Sequence, residues 1–151
     1  MIDPKFIGYR SAPAQFTVER GRIKVFAKAI GLTDPIHFDA NAARARGYDD
    51  VVAPPTFLTV IETDRGFGGG ASALPAGMAL DFTRLLHGGQ EYEYFLPICA
   101  GDVIETSGAI ADIYSKRDGA LQFMVMEAEY RNAGGELVAL SRTTLIYRAL
   151  P

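Results

Sequence analysis

The chain has 151 residues, 48% of them hydrophobic, and a formal net charge of −3. That is enough to bury a core within one domain, 1–151, and too acidic for a nucleic-acid or polyanion surface. No apolar run approaches the ~18 residues that span a bilayer, and "MIDPKFIGYR" has no apolar signal core, so membrane insertion and export are not expected and the expected location is the cytoplasm.

In chain order, Thr17 can cap a helix carrying Val18, Ile23, Phe26, Ala27 and Ile30, mostly three and four apart. Gly31 ends that helix, and Pro35 disfavours helix through Asp34. Asp39 can cap the short "ANAARARG" helix, which stops at Gly47. Pro54 and Pro55 suit the first turn of a third helix, "TFLTVIETDRGF", with Phe57, Val60 and Ile61 as its buried stripe. The following "GFGGGASALPAG" places Gly66, Gly68 and Ala71 in G-x-G-x-x-A spacing. It follows a helix instead of a strand, so a flexible loop is expected and no dinucleotide or other cofactor.

From there the pattern turns to strands. "GGQEYEYFLPI", "DVIETSGAIADIY", "LQFMVMEAEYR" and "ELVALSRTTLIYRAL" are four candidates, the last three separated by the hairpin turns "SKRDG" and "NAGG". Successive hairpins make an antiparallel sheet, and the apolar helix at 55–64 is the element to cover one face. The class is α+β, and open sheet edges with few charges point to a dimer.

Cys99, the single cysteine, excludes an internal disulfide, and no base stands beside it in "LPICAGD"; a packed structural thiol is expected. His37, one of two histidines, sits between Asp34 and Asp39 in "GLTDPIHFD". His37 and His87 lack partner ligands at metal-binding spacing, so no metal is expected.

"VERGRIKVFAKAIGLTDPIHFD", "RGYDDVVAPPTF", "LLHGGQEYEYFLPICAGDVI" and "EYRNAGGELVALSRTTLI", in this order from about Phe16 to Tyr147, resemble the MaoC-like dehydratases. More narrowly they resemble the FAS1-like dehydratase N-terminal type, including the noncatalytic subunit of hydroxyacyl-ACP dehydratases. The resemblance implies a hot-dog fold, an antiparallel sheet wrapped around a central helix, and acyl-CoA or acyl-ACP thioesters as ligands. Complete members of the family carry D-x-N-P-x-H in the loop over the helix. There an Asp–His pair moves the water and proton of 2-enoyl hydration, and a backbone N–H from a His-Gly turn stabilises the enolate oxygen.

Laid on this chain, His37 and Pro35 occupy the histidine and proline slots, Asp34 stands where Asn is expected, and Leu32 stands where the aspartate belongs. Pro54-Pro55 replaces the His-Gly turn, and Pro55 has no N–H to donate. Both departures are typical of the noncatalytic half, so the resemblance implies a subunit of an (R)-specific 2-enoyl-thioester hydratase or 3-hydroxyacyl-thioester dehydratase. Its partner, in a homodimer or heterodimer, is a second hot-dog subunit, the complete Asp/His motif lying on that other chain in the heterodimer. Thr56 and Phe57, with the 66–77 loop, would shape the acyl tunnel. His87, Gly88, Gly89 and Gln90 read either as part of the thioester or pantetheine path or as a two-glycine β-bulge. Alternatives are a self-sufficient hydratase using His37 with Asp34 or Asp39, a hot-dog thioesterase in which Glu62 or Asp64 activates water, and a ligand-binding module without an enzyme partner. For Glu62 and Asp64 the plain expectation is a pair of solvated residues at a helix end.

Overall fold

A computed structural model describes residues 1–64 and 74–148. Five strands form one antiparallel sheet in the order β1-β3-β4-β5-β2. They are β1 (Ala14–Thr17), β2 (Leu85–Tyr94), β3 (Val103–Lys116), β4 (Leu121–Arg131) and β5 (Leu137–Arg148). The helices are α1 (Arg20–Ala29), α2 (Ala40–Ala45) and α3 (Leu58–Asp64). The four strands expected from the sequence are present as β2 to β5. The hairpin after β3 turns on Arg117, Asp118 and Gly119, all at positive φ, and the next ends at Gly135, φ 80°.

The first strand was not anticipated, and it corrects the role given to Thr17. Thr17 closes β1 opposite Val103, and α1 begins after Glu19, which caps it without a side-chain bond. Asp39 does cap α2, its Oδ1 accepting the N–H of Asn41 at 2.7 Å. Gly47 follows at φ 87°, a conformation that glycine adopts without a Cβ clash.

Leu58 and Ile61 of α3, with Phe57 just before it, are fully buried against Phe16, Ile104, Tyr130 and Ala139 of the sheet, while Val60 is only partly covered. Burying each of these larger apolar side chains contributes roughly 1.5–3 kcal/mol, which fixes α3 across the sheet. A second apolar cluster, around Ile2, Ile110, Met124 and Leu145, occupies the other end of the sheet. The N-terminal segment is tied there by Gly8 N–H to Ile110 carbonyl and Ile110 N–H to Tyr9 carbonyl. Among the described residues no helix is long and apolar enough to cross a membrane. The G-x-G-x-x-A stretch, and most of the expected 66–77 loop, lie outside the described residues.

Candidate functional site

Between the two apolar clusters, α3 and the sheet enclose an open cavity of about 390 Å³. That is the scale of a small-molecule site. One wall is Thr59, Glu62 and Thr63 of α3; facing it are Tyr92, Tyr130 and Ser141 on three adjacent strands. The register explains the convergence: Ser141 pairs with Tyr92 on one side and Ala128 on the other, two residues from Tyr130, so these side chains share the face beneath α3.

Glu62 is the hub. Its Oε1 accepts the Tyr130 hydroxyl at 2.7 Å and the Ser141 hydroxyl at 2.9 Å. Each hydroxyl has one proton, and both protons point at the carboxylate, so the 3.2 Å contact between Tyr130 and Ser141 carries none. On the other oxygen, Oε2, Tyr92 donates across a longer 3.3 Å, and Thr59 lies 2.7 Å from the same Tyr92 hydroxyl. Burial, with the charge of Glu62 added, pushes the Tyr92 phenol up to about 12. The Tyr130 phenol is raised further, again by burial first and by Glu62 second. Both therefore remain hydrogen-bond donors at neutral pH.

A second polar group lies along the same cavity. Gln90 Oε1 accepts the Thr143 hydroxyl at 2.9 Å and lies 3.2 Å from His87 Nε2, while Gln90 Nε2 is buried with no partner among the described residues. His87 and Gln90, three apart, would face opposite sides of a regular strand. A β-bulge between His87 and Gly89 adds one residue, and His87 and Gln90 then stand opposite Leu145 and Thr143, which share a face. Gly88 sits in that bulge with no room for a side chain: a Cβ there would lie 2.7 Å from Ile146 Cγ1. Gly89 is open, its nearest neighbour being 4.0 Å away.

The other residues singled out in the sequence fall elsewhere. Thr56 lines the cavity, whereas Phe57 is wholly buried beneath α3 in contact with Phe16 and Phe26. His37 ends a single 3-10 turn, Pro35–His37, and is buried. Its Nδ1 lies 2.7 Å from the Val52 carbonyl, and since a carbonyl only accepts, Nδ1 carries the proton. Asp34 accepts the Ile36 N–H at 3.2 Å and pairs with Arg46 at 2.8 Å; the Arg46 guanidinium holds its carboxyl below the usual range. Asp39 is occupied in capping α2, so the hydrogen bonds of the two aspartates go to Ile36, Arg46 and the first turn of α2. None of the three lines the cavity. Pro54 and Pro55 precede α3, and the Tyr94 hydroxyl donates to the Pro55 carbonyl. Cys99 is buried among Val52 and Ala43, and that burial pushes its thiol up. Of the two helix carboxylates, Asp64 pairs with Arg22 at 2.7 Å on the surface. Glu62 departs from the expected solvated residue, because three hydroxyls from the sheet hold it inside the cavity.

A single helix held against an antiparallel sheet, with an open cavity between them, is a hot-dog fold of the dehydratase and hydratase type. The chain belongs to the FAS1-like dehydratase domain family, whose domain region matches residues 5–141. It is 36% identical over 136 residues to a UPF0336 protein of Thermobifida fusca, covering 90% of this chain and 86% of that one. A chain of the HadBC complex, a 3R-hydroxyacyl-ACP dehydratase of Mycobacterium tuberculosis, superposes with a TM-score of 0.79 and 26% identity, covering 93% of this chain and 96% of that chain. The (R)-hydratase of A. caviae involved in PHA biosynthesis matches in fold, with a TM-score of 0.66, 15% identity and 96% of each chain covered.

Proposed function

We infer that this chain is the acyl-pocket subunit of an (R)-specific 2-enoyl-thioester hydratase or 3-hydroxyacyl-thioester dehydratase. It binds part of the acyl chain in the cavity under α3, and a second hot-dog subunit supplies the Asp–His pair and the enolate-stabilising N–H. The observation that carries this reading is the state of the loop from Gly31 to Asp39 and of the turn before α3. Leu32 has no proton to move, Asp34 is tied to Arg46, and the Pro54-Pro55 turn has no N–H to offer an enolate. The HadBC chain, itself part of a complex, supports a partnered assembly. Of the two outer strands, β1 and β2, the longer β2 has an edge with no strand beside it among the described residues, and the second subunit pairs there. The whole chain acts as one such domain in the cytoplasm, with no cofactor.

Hydration of crotonyl-CoA tests the division of labour. The isolated chain is expected to turn it over poorly, and co-expression with a hot-dog chain carrying the complete D-x-N-P-x-H motif is expected to restore the rate. Robust turnover by the isolated chain would overturn the reading in favour of a self-sufficient hydratase using His37.

Glu62 favours a second reading, a thioesterase. A carboxylate on the central helix within a cavity can act as general base toward water attacking a thioester carbonyl. Release of free CoA thiol from acyl-CoAs by the wild type, lost in Glu62→Gln, would select this reading over the first.

A further inference from the structure

The hydrogen-bond inventory of the cavity is incomplete in a specific way. Glu62 Oε1 is satisfied by two short bonds, but among the described residues Oε2 receives only the 3.3 Å contact from Tyr92. A carboxylate oxygen can accept two hydrogen bonds, so this one has capacity left and calls for a donor. Gln90 Nε2 is the reverse case, a buried donor without an acceptor among the described residues. Exchanging the oxygen and nitrogen of that amide replaces the orphan donor by an orphan acceptor at the same place, and a hydroxyl can partner either. The two positions are neighbours: Glu62 is bound to Ser141, Gln90 to Thr143, and these side chains stand two residues apart on one face of β5, about 7 Å.

A plain alkyl chain drawn over this stripe would strip water from the Glu62 carboxylate and leave the Gln90 amide unpaired, returning no hydrogen bond, which is costly. With the Gln90 amide oriented as in this structure, an ammonium group could donate to Glu62 but could not accept from Gln90; a ketone could accept but not donate. A hydroxyl does both and fits either position.

We propose that the cavity selects an acyl group bearing a hydroxyl beyond the reacting C2–C3 carbons, and that Glu62 and Gln90 are the residues that set this preference. The proposal rests on the cavity being an acyl pocket, and it goes further in naming the class of acyl group. It separates this chain from a subunit that houses unfunctionalised alkyl tails.

Binding by the wild-type chain, measured by calorimetry with matched probe pairs, tests it: ω-hydroxyhexanoyl-CoA against hexanoyl-CoA, and ω-hydroxyoctanoyl-CoA against octanoyl-CoA. The hydroxylated member of at least one pair is expected to bind about tenfold tighter, the worth of one hydrogen bond to a charged acceptor. In Glu62→Leu the preference disappears or reverses toward the alkyl probe. Glu62→Gln, which keeps the shape of the side chain, reduces it if the leucine variant fails to fold. Equal or tighter binding of both alkyl probes by the wild type overturns the proposal while leaving the acyl-pocket reading standing. A preference untouched in both Glu62 variants overturns the assignment to Glu62. Failure to bind any of the four probes removes the acyl-pocket reading and this inference with it.

Discussion

Tyr130 on the middle strand donates its hydroxyl to Glu62 on the helix across 2.7 Å, although 68 residues separate them in the chain. The Tyr130 ring is fully buried in the main core, so this bond joins the packing of the sheet to the polar lining of the cavity. Tyr130→Phe keeps the ring and removes the donor. It is expected to lower unfolding free energy by about 1.5–3 kcal/mol, the range for a hydrogen bond to a charged group, read from the urea midpoint at unchanged m-value. Paired with Glu62→Gln in a double-mutant cycle, the two changes are expected to be non-additive; strict additivity would mean that the bond contributes nothing in solution.

Asp50, like Asp34, contributes to the acid side of stability near α1 and α2. It is clamped by Arg20 at 2.6 Å and Arg44 at 3.1 Å and accepts the Val51 N–H at 2.8 Å. The Arg20 hydrogen bonds, followed by the Val51 N–H, hold its carboxyl below the ordinary value. A depressed folded-state pKa gives stability that is fully present above the unfolded value of about 3.9 and is lost as pH falls through the folded one. The urea midpoint of the wild type should therefore fall below about pH 4, and Asp50→Asn should flatten that fall while lowering the neutral plateau. An identical acid limb in the variant would remove Asp50 from the explanation.

The two bulge glycines should behave differently. Gly88→Ala places a Cβ 2.7 Å from Ile146 Cγ1 and 3.1 Å from the Thr144 carbonyl, whereas Gly89→Ala meets nothing closer than 4.0 Å. The first is expected to cost about 1–3 kcal/mol, typical of overpacking, and the second well under 1 kcal/mol. Ile146→Ala, added to Gly88→Ala, should recover part of the loss.

His37 is buried with Nδ1 donating to Val52, so His37→Ala should reduce stability by roughly 1–3 kcal/mol through an orphaned carbonyl and a small void. If the complete Asp–His pair lies on another chain, hydration by the assembled pair should drop less than about tenfold in this variant, far from the loss that follows removal of a general acid–base. The kcat of the pair, measured at saturating crotonyl-CoA, decides this.

Much of the sheet is legible in the chain because its information is local. In β4 the apolar run Phe123 to Met126 is bounded by turn sequences, and Asn132-Ala133-Gly134-Gly135 carries its own turn chemistry, so strand boundaries follow from neighbours. β1 escapes the same reading because "AQFT" buries one side chain, Phe16, and its pairing partner lies in β3. Thr17 then looks like the cap of the helix that follows. The cavity escapes for a stronger version of the same reason. Glu62 meets Tyr92, Tyr130 and Ser141 at separations of 30, 68 and 79 residues, and at its own place in "VIETD" it has the spacing of an exposed helix end. The one available signal was Ser141, a small polar residue at an inward position of the apolar run "LVALSRTTLIY".

The bulge in β2 also determines where the chain can change length. Between His87 and Gly89 the strand holds one residue more than the β5 segment opposite, so it contains slack. Losing Gly88 would close the bulge and leave His87 opposite Leu145 and Gln90 opposite Thr143. The same loss at Met124, in a strand held on both sides, would turn half of β4 inside out. Natural or engineered indels are therefore expected to accumulate at this edge and to be purged from the centre of the sheet.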